Sequence, residues 1–245
     1  IRDFGELEKL QVSKKGPKDF VTNADIKAEK IIIDELKKAR PNYSIISEEN
    51  GIEKNKDETN FWIIDPIDGT INFLHGIPHF AISIALQSNN EIICGLIFDP
   101  IKNELFFAEK NNGSFLNNSR IRVSSKKKLK DCLLVTGGPK KLSKNKENIF
   151  SEYKMISDLV DAPIRKFGSA SLDIANVACG RFDGYWQSEI NLWDAAAGIV
   201  IVKEAGGFID YVNIDQNNPN KINIIASNSN IHQELRESLN KKNIE

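Results

Sequence analysis

The stretch FWIIDPIDGTINFLHG, Phe61 to Gly76, decides how this chain is read. It opens as an apolar strand and then crowds Asp65, Pro66, Asp68, Gly69 and Thr70 into six residues. Pro66 fixes its own φ and has no N–H to donate, so a strand ladder is expected to stop there. Gly69 permits a tight turn and close approach by a ligand. A turn or helix start after Asp68 would aim N–H groups outward, which is how phosphate is held. Two carboxylates this close repel unless something positive lies between them. Oxygen ligands without a neighbouring histidine or cysteine favour Mg2+ over zinc. An Asx-turn with capping aspartates uses the same residue types, so the motif alone leaves both readings open.

The rest of the chain sets bounds. Its 245 residues suit one or two domains of ~100–200 residues each. Lys+Arg is 33 and Asp+Glu 34, a net charge of -1 that gives no global basic field for nucleic acid. The cationic run Lys126–Lys130 reads as a solvated turn. Cys94, Cys132 and Cys179 are scattered and form no C-x-x-C pair, which points to core positions in a reducing, cytoplasmic setting. No apolar run approaches the ~18 residues of a membrane span, and no signal peptide is visible.

Periodicity predicts a helix end over residues 1–12, a Gly-Pro loop at 14–19, and a helix from Thr22 or Asn23 to Ala39. A short strand, YSIISEE, follows, then a polar surface loop at 53–60. Runs at 61–65, 79–87, 91–98, 103–109 and 114–117 predict an antiparallel meander, and CLLVTGG a further strand. Helices at 144–160, 169–179 and 193–205 alternate with strands at 182–187, 207–211 and 222–227. A last helix is capped by Ser229 or Asn230. Two α/β lobes are expected, 1–130 carrying the acidic motifs and 131–245 completing the site.

Two more stretches reinforce the acidic reading. ISEENG puts Glu48 and Glu49 at the end of an apolar run, and NLWDAAAGIVIVKEAGG sets Asp194 at the start of a small-residue helix. With WIIDPIDGTINF, SEENG and GSASLDIANVACGRFDGYW, the chain resembles the inositol monophosphatase family over essentially its whole length, and within it the bacterial SuhB-type branch.

The resemblance implies an αβαβα sandwich and an Mg2+-dependent, lithium-sensitive phosphatase with two to three metals. Its substrate would be inositol 1-phosphate or a related polyol or sugar monophosphate, attacked by a metal-activated water. By the same resemblance Glu48, Asp65 and the Ile67 carbonyl serve metal 1, with Asp65 bridging, while Asp68 and Asp194 serve metal 2. Asp25 and Thr70, with Glu48, orient and activate the water, and Lys14 sits on a mobile loop. Substrate contacts fall on Asp68, Gly69, Thr70, Arg165, Gly168, Ser169, Ala170 and Gln187. The chain departs from the family pattern at Gln187, where relatives usually carry a glutamate that accepts from substrate hydroxyls. His75, His79, Glu49 and Glu204 are read as structural. A homodimer without membrane attachment is expected. One alternative is a SuhB-type component of transcription complexes supporting ribosomal RNA synthesis, in contact with RNA polymerase or its factors. Another is a phosphatase of 3′-phosphoadenosine phosphates or fructose 1,6-bisphosphate.

Overall fold

The computed structural model describes residues 4, 12–16, 19–138, 146–216 and 218–240. A two-stranded ribbon, β1 (Val12–Gly16) and β2 (Asp19–Thr22), leads into helix α1 (Asn23–Ala39). Strands β3 (Tyr43–Ser47), β4 (Gly51–Glu53), β5 (Asp57–Asp68), β6 (Ala81–Ser88), β7 (Glu91–Asp99), β8 (Glu104–Glu109), β9 (Gly113–Leu116) and β10 (Ser119–Arg120) form one eight-stranded sheet. From β5 to β10 it is an antiparallel meander, while β3 joins β5 in parallel. A four-stranded sheet has the order β11 (Leu134–Thr136), β12 (Gly184–Asn191), β14 (Lys221–Ser227), β13 (Phe208–Asn213). The other helices are α2 (Thr70–Leu74), α3 (Lys146–Leu159), α4 (Ala170–Ala178), α5 (Leu192–Glu204) and α6 (His232–Asn240).

Strand alternation builds the layers, because successive side chains point to opposite faces. Along β5, Trp62 and Ile64 pack with Ile33 and Leu36 of α1, whereas Phe61 and Ile63 face a cluster containing α4 and α5. Along β12, Tyr185 joins that central cluster, and Trp186 faces Ile156, Ile231 and Leu235 on the α3 and α6 side. The order is therefore helix α1, large sheet, helices α4 and α5, small sheet, helices α3 and α6: the expected αβαβα sandwich.

Helix α5 is thin by composition. A Cβ added at Gly95 on β7 would lie 2.5 Å from the Ala197 carbonyl oxygen, and one added at Gly198 would lie 2.4 Å from Ile174 on α4. Such contacts are far inside van der Waals distance, so the layers close only because these side chains are missing.

Several expectations need correction. The loop placed at 53–60 includes the start of β5, where polar Asp57–Asn60 gains its strand partners from the sheet: Tyr43 pairs with Asp57, and Asn60 with Ser88. The loop at 14–19 lies largely in the β1–β2 ribbon, with Gly16 opposite Asp19. The ladder does not end at Pro66; β5 continues to Asp68 across a register shift, a place where a residue without an N–H is tolerated. The small-sheet strand expected to end at 187 runs on to Asn191, again past an irregularity. The start of α6 is fastened by the Asn228 side chain, which accepts from the N–H groups of Asn230 and Ile231, rather than by Ser229 or Asn230. Cys132 is buried, but Cys94 and Cys179 are only partly so. The helix expected over 1–12 lies almost wholly outside the described residues; Phe4 packs on Phe73 and Phe80.

Candidate active site

The irregular end of β5 turns two acidic side chains toward the first turn of α5. Carboxylate oxygens of Asp65, Asp68 and Asp194 all lie within 4.8 Å of one another. Asp65 is 1% exposed, and its own Oδ1 accepts the Ile67 N–H at 3.0 Å. Burial and the charges of Glu48, Asp68 and Asp194 push its carboxyl well above the ordinary range. Asp194 reaches the cluster while one oxygen caps its own helix, accepting the Asn191 N–H at 3.0 Å.

Glu48 follows β3, and its side chain meets Asp65 closely enough to hydrogen-bond with it. On the other side, Thr70 Oγ lies 3.1 Å from the Ile67 carbonyl oxygen and 3.4 Å from Oδ1 of Asp25, which α1 holds fully buried. One hydroxyl carries one proton, so these two bonds are alternatives. When the proton turns to Asp25, the lone pairs of Thr70 are free to accept from a water.

Ser169 caps α4, and the same hydroxyl donates to Asp68 at 2.6 Å. Asp68 also accepts the N–H of Ser171 at 2.7 Å and its hydroxyl at 2.5 Å, and the Ala170 N–H faces it. Burial raises the Asp68 carboxyl, and these donors oppose the rise. In this structure, then, Ser169 and Ala170 bind a carboxylate of the cluster. Ser171 was missed in the sequence because a serine inside a helix carries no signal of its own. Gly69 adopts φ 95°, and a Cβ there would lie 3.1 and 3.2 Å from the carbonyl oxygens of His79 and Gly168. Gly168 has φ 90°. The Asn72 side chain, also missed, donates to the carbonyls of His79 and Phe167, each at 2.7 Å, and ties the turn after β5 to the 165–171 segment.

Gln187 is tied to its own strand and packs on Gly137. Its Oε1 accepts the buried Tyr185 hydroxyl, and its amide lies over Gly137, where a Cβ would collide with it. A cavity of about 410 Å3 opens beside Gln187, Ser188, Tyr211 and Asn223, and none of the acidic cluster lines it. Arg165 is exposed, and its backbone bridges to Val135 on β11. The backbone of Lys14 is in β1, and its side chain lies outside the described residues. His75 is exposed at the end of α2, while His79 stands 3.4 Å from Asp173, whose carboxyl burial pushes up to about 6. Glu204 accepts the N–H groups of Asn111 and Gly113 at 2.9 Å each and so fastens the β8–β9 turn.

The donor set fits a hard divalent cation: carboxylate oxygens gathered around buried Asp65. The layered α/β fold sets this cluster between its large sheet and central helices, and so defines a class of protein with a candidate cation site at that junction. A sequence profile described as "Inositol monophosphatase family" matches residues 2–243. The chain belongs to the inositol monophosphatase family. It is 46% identical to an inositol-1-monophosphatase of Caulobacter vibrioides, over 97% of this chain and 94% of that one. It is 40% identical to a Nus factor SuhB of Xylella fastidiosa, over 97% and 87%. The crystal structure of extragenic suppressor protein SuhB from Bartonella henselae superposes with a TM-score of 0.90 at 47% identity, covering 98% of this chain and 92% of that one.

Proposed function

We propose that this chain is a Mg2+-dependent phosphatase of small polyol or sugar monophosphates, with inositol 1-phosphate as its default substrate. The observation that carries this reading is the cluster of buried Asp65 with Asp68 and part-buried Asp194, beside part-buried Glu48, with the Thr70–Asp25 pair at its edge. Glu48, Asp65, Asp68, Asp194 and the Ile67 carbonyl would hold two cations, with a third weaker position toward Lys14. Bound cations supply positive charge for the phosphoryl oxygens and acidify a water. Asp25 takes the Thr70 proton in a hydrogen bond, leaving the Thr70 oxygen to orient that water. Gly69 and Thr70 offer N–H groups at the start of α2 to the phosphate. Arg165, Gly168, Ser169, Ala170 and Gln187 form the substrate side. Catalysis is then mostly positioning and charge stabilisation, as phosphoryl transfer requires.

The two proposed lobes, 1–130 and 131–245, each supply part of this site, and the protein works as a cytoplasmic homodimer. Among the described residues no helix is long and apolar enough to cross a membrane. The test is phosphate release from a panel including inositol 1-phosphate, other polyol phosphates and fructose 1,6-bisphosphate, with Mg2+ and with EDTA. Mg2+-dependent release from the polyol phosphates is expected; no release from any substrate would end this reading. The Nus factor name of the Xylella relative favours a second role, binding to transcription machinery. Retention of RNA polymerase on the immobilised protein would support that role, and a clean failure would remove it.

A further inference from the structure

Helix α1 carries a second buried acid that does not belong to the clustered trio. Glu29 is 0% exposed, and its carboxylate is packed with donors from a single turn. One oxygen accepts the Ser47 hydroxyl at 3.0 Å, the Asn50 N–H at 3.1 Å and the Asn50 side-chain amide at 2.5 Å. The other accepts the Glu49 N–H at 3.0 Å. These donors flank Glu48, which itself meets Asp65 and whose N–H donates to the Ile64 carbonyl at 3.2 Å. The turn is thus tied to β5 on one side and to Glu29 on the other. Asp25 lies four residues earlier on the same helix, and i and i+4 share one face. One face of α1 therefore supports both Thr70 and the Glu48 turn.

An apolar side chain in place of Glu29 would leave the donors of three residues unpaired around a candidate ligand. We propose that Glu29 is a positioning residue: acting through the 47–50 turn, it holds the Glu48 carboxylate where a divalent cation shared with Asp65 requires it. This rests on the metal-site reading above.

Mn2+ titration of the metal-free protein, followed by calorimetry and electron paramagnetic resonance, tests it without relying on turnover. Glu29→Gln keeps the volume but replaces one acceptor oxygen with an amide donor that faces N–H groups. The expected result is Mn2+ binding weakened about 10-fold or more, the range seen when partners of metal ligands are removed. Activity should return at high Mg2+, with substrate KM unchanged there. In a Glu48→Gln background, Glu29→Gln should have no further effect on Mn2+ binding. A folded Glu29→Gln protein with wild-type Mn2+ affinity overturns the proposal. So does an equal loss in the Glu48→Gln background, which would mean that Glu29 acts elsewhere. If Glu29→Gln does not fold, Asn50→Ala removes one donor and leaves Glu29 in place. A twofold or greater weakening at unchanged melting temperature then supports the proposal, and unchanged affinity overturns it. Wild-type protein that binds no Mn2+ overturns the metal-site reading itself, and this proposal with it.

Discussion

Asp65 lies buried among the charges of Glu48, Asp68 and Asp194. Asp65→Asn removes one charge at nearly constant shape. Turnover should fall about 100-fold or more, because cations held there stabilise transition-state charge by several kcal/mol. Circular dichroism should show a folded protein; near-wild-type phosphate release would exclude Asp65 as a shared ligand. Gln187 invites the opposite experiment. Tyr185 uses one lone pair of the Gln187 oxygen, and the other head atom of Gln187 is an amide donor, so it has less acceptor capacity for substrate hydroxyls than a glutamate with a second oxygen. Gln187→Glu should raise kcat/KM for inositol 1-phosphate several-fold, on the order of 1 kcal/mol, given the greater strength of charged hydrogen bonds. A hydroxyl-poor phosphate is the control, and an equal change on both substrates would show that position 187 does not read hydroxyls.

At the scale of elements, most of what the sequence made legible had a local cause. Helix α5 could be read from its apolar run behind Asp194, and the meander from alternating strands with short turns between them. What escaped reading depends on distant partners. Asp57–Asn60 is too polar to announce a strand, and its pairing comes from β3 and β6. Of the site, the carboxylates stood out by type and spacing, whereas Glu29, Asn72 and Ser171 did not. Apart from the Asn72 bond to His79, their bonds span 18 to 103 residues of sequence. Strand β12 holds a different kind of surprise. Glu189 sits at φ 60° inside its register shift, with its N–H on Asn223 at 3.0 Å. A left-handed conformation costs a non-glycine residue roughly 1–2 kcal/mol, and glycine's extra chain entropy returns only part of that. Glu189→Gly should therefore stabilise the protein by about 0.5–1 kcal/mol, read as a higher urea midpoint at unchanged slope. A lower midpoint would mean that the glutamate side chain makes contacts worth more than the strain.

For the whole molecule, the cluster joins the large sheet to the central helices, so its protonation reaches global stability. Asp65 and Asp68 are both raised by burial, and Asp173 is pushed up to about 6 for the same reason. Between about pH 4, where unfolded carboxylates titrate, and these higher folded values, the folded chain holds protons that the unfolded chain has lost. The metal-free protein should consequently lose stability as pH rises through that window. Thermal melts in EDTA should show this fall, and it should be shallower in Asp65→Asn; identical slopes would exclude Asp65 as its source. Added Mg2+ should offset the loss, by about 2.7 kcal/mol at a hundredfold excess over its Kd. The missing side chains at Gly95 and Gly198 bear on how such a protein changes over generations. Neither lies in the acidic cluster, yet a methyl group at either would wedge the central helix away from its neighbour and carry Asp194 with it. Lineages of this protein can diversify at exposed positions such as Lys126, Lys127 and Lys128, one substitution at a time. At Gly95 the clash is with the Ala197 backbone, which no substitution at 197 removes, so glycine should be inherited unchanged there.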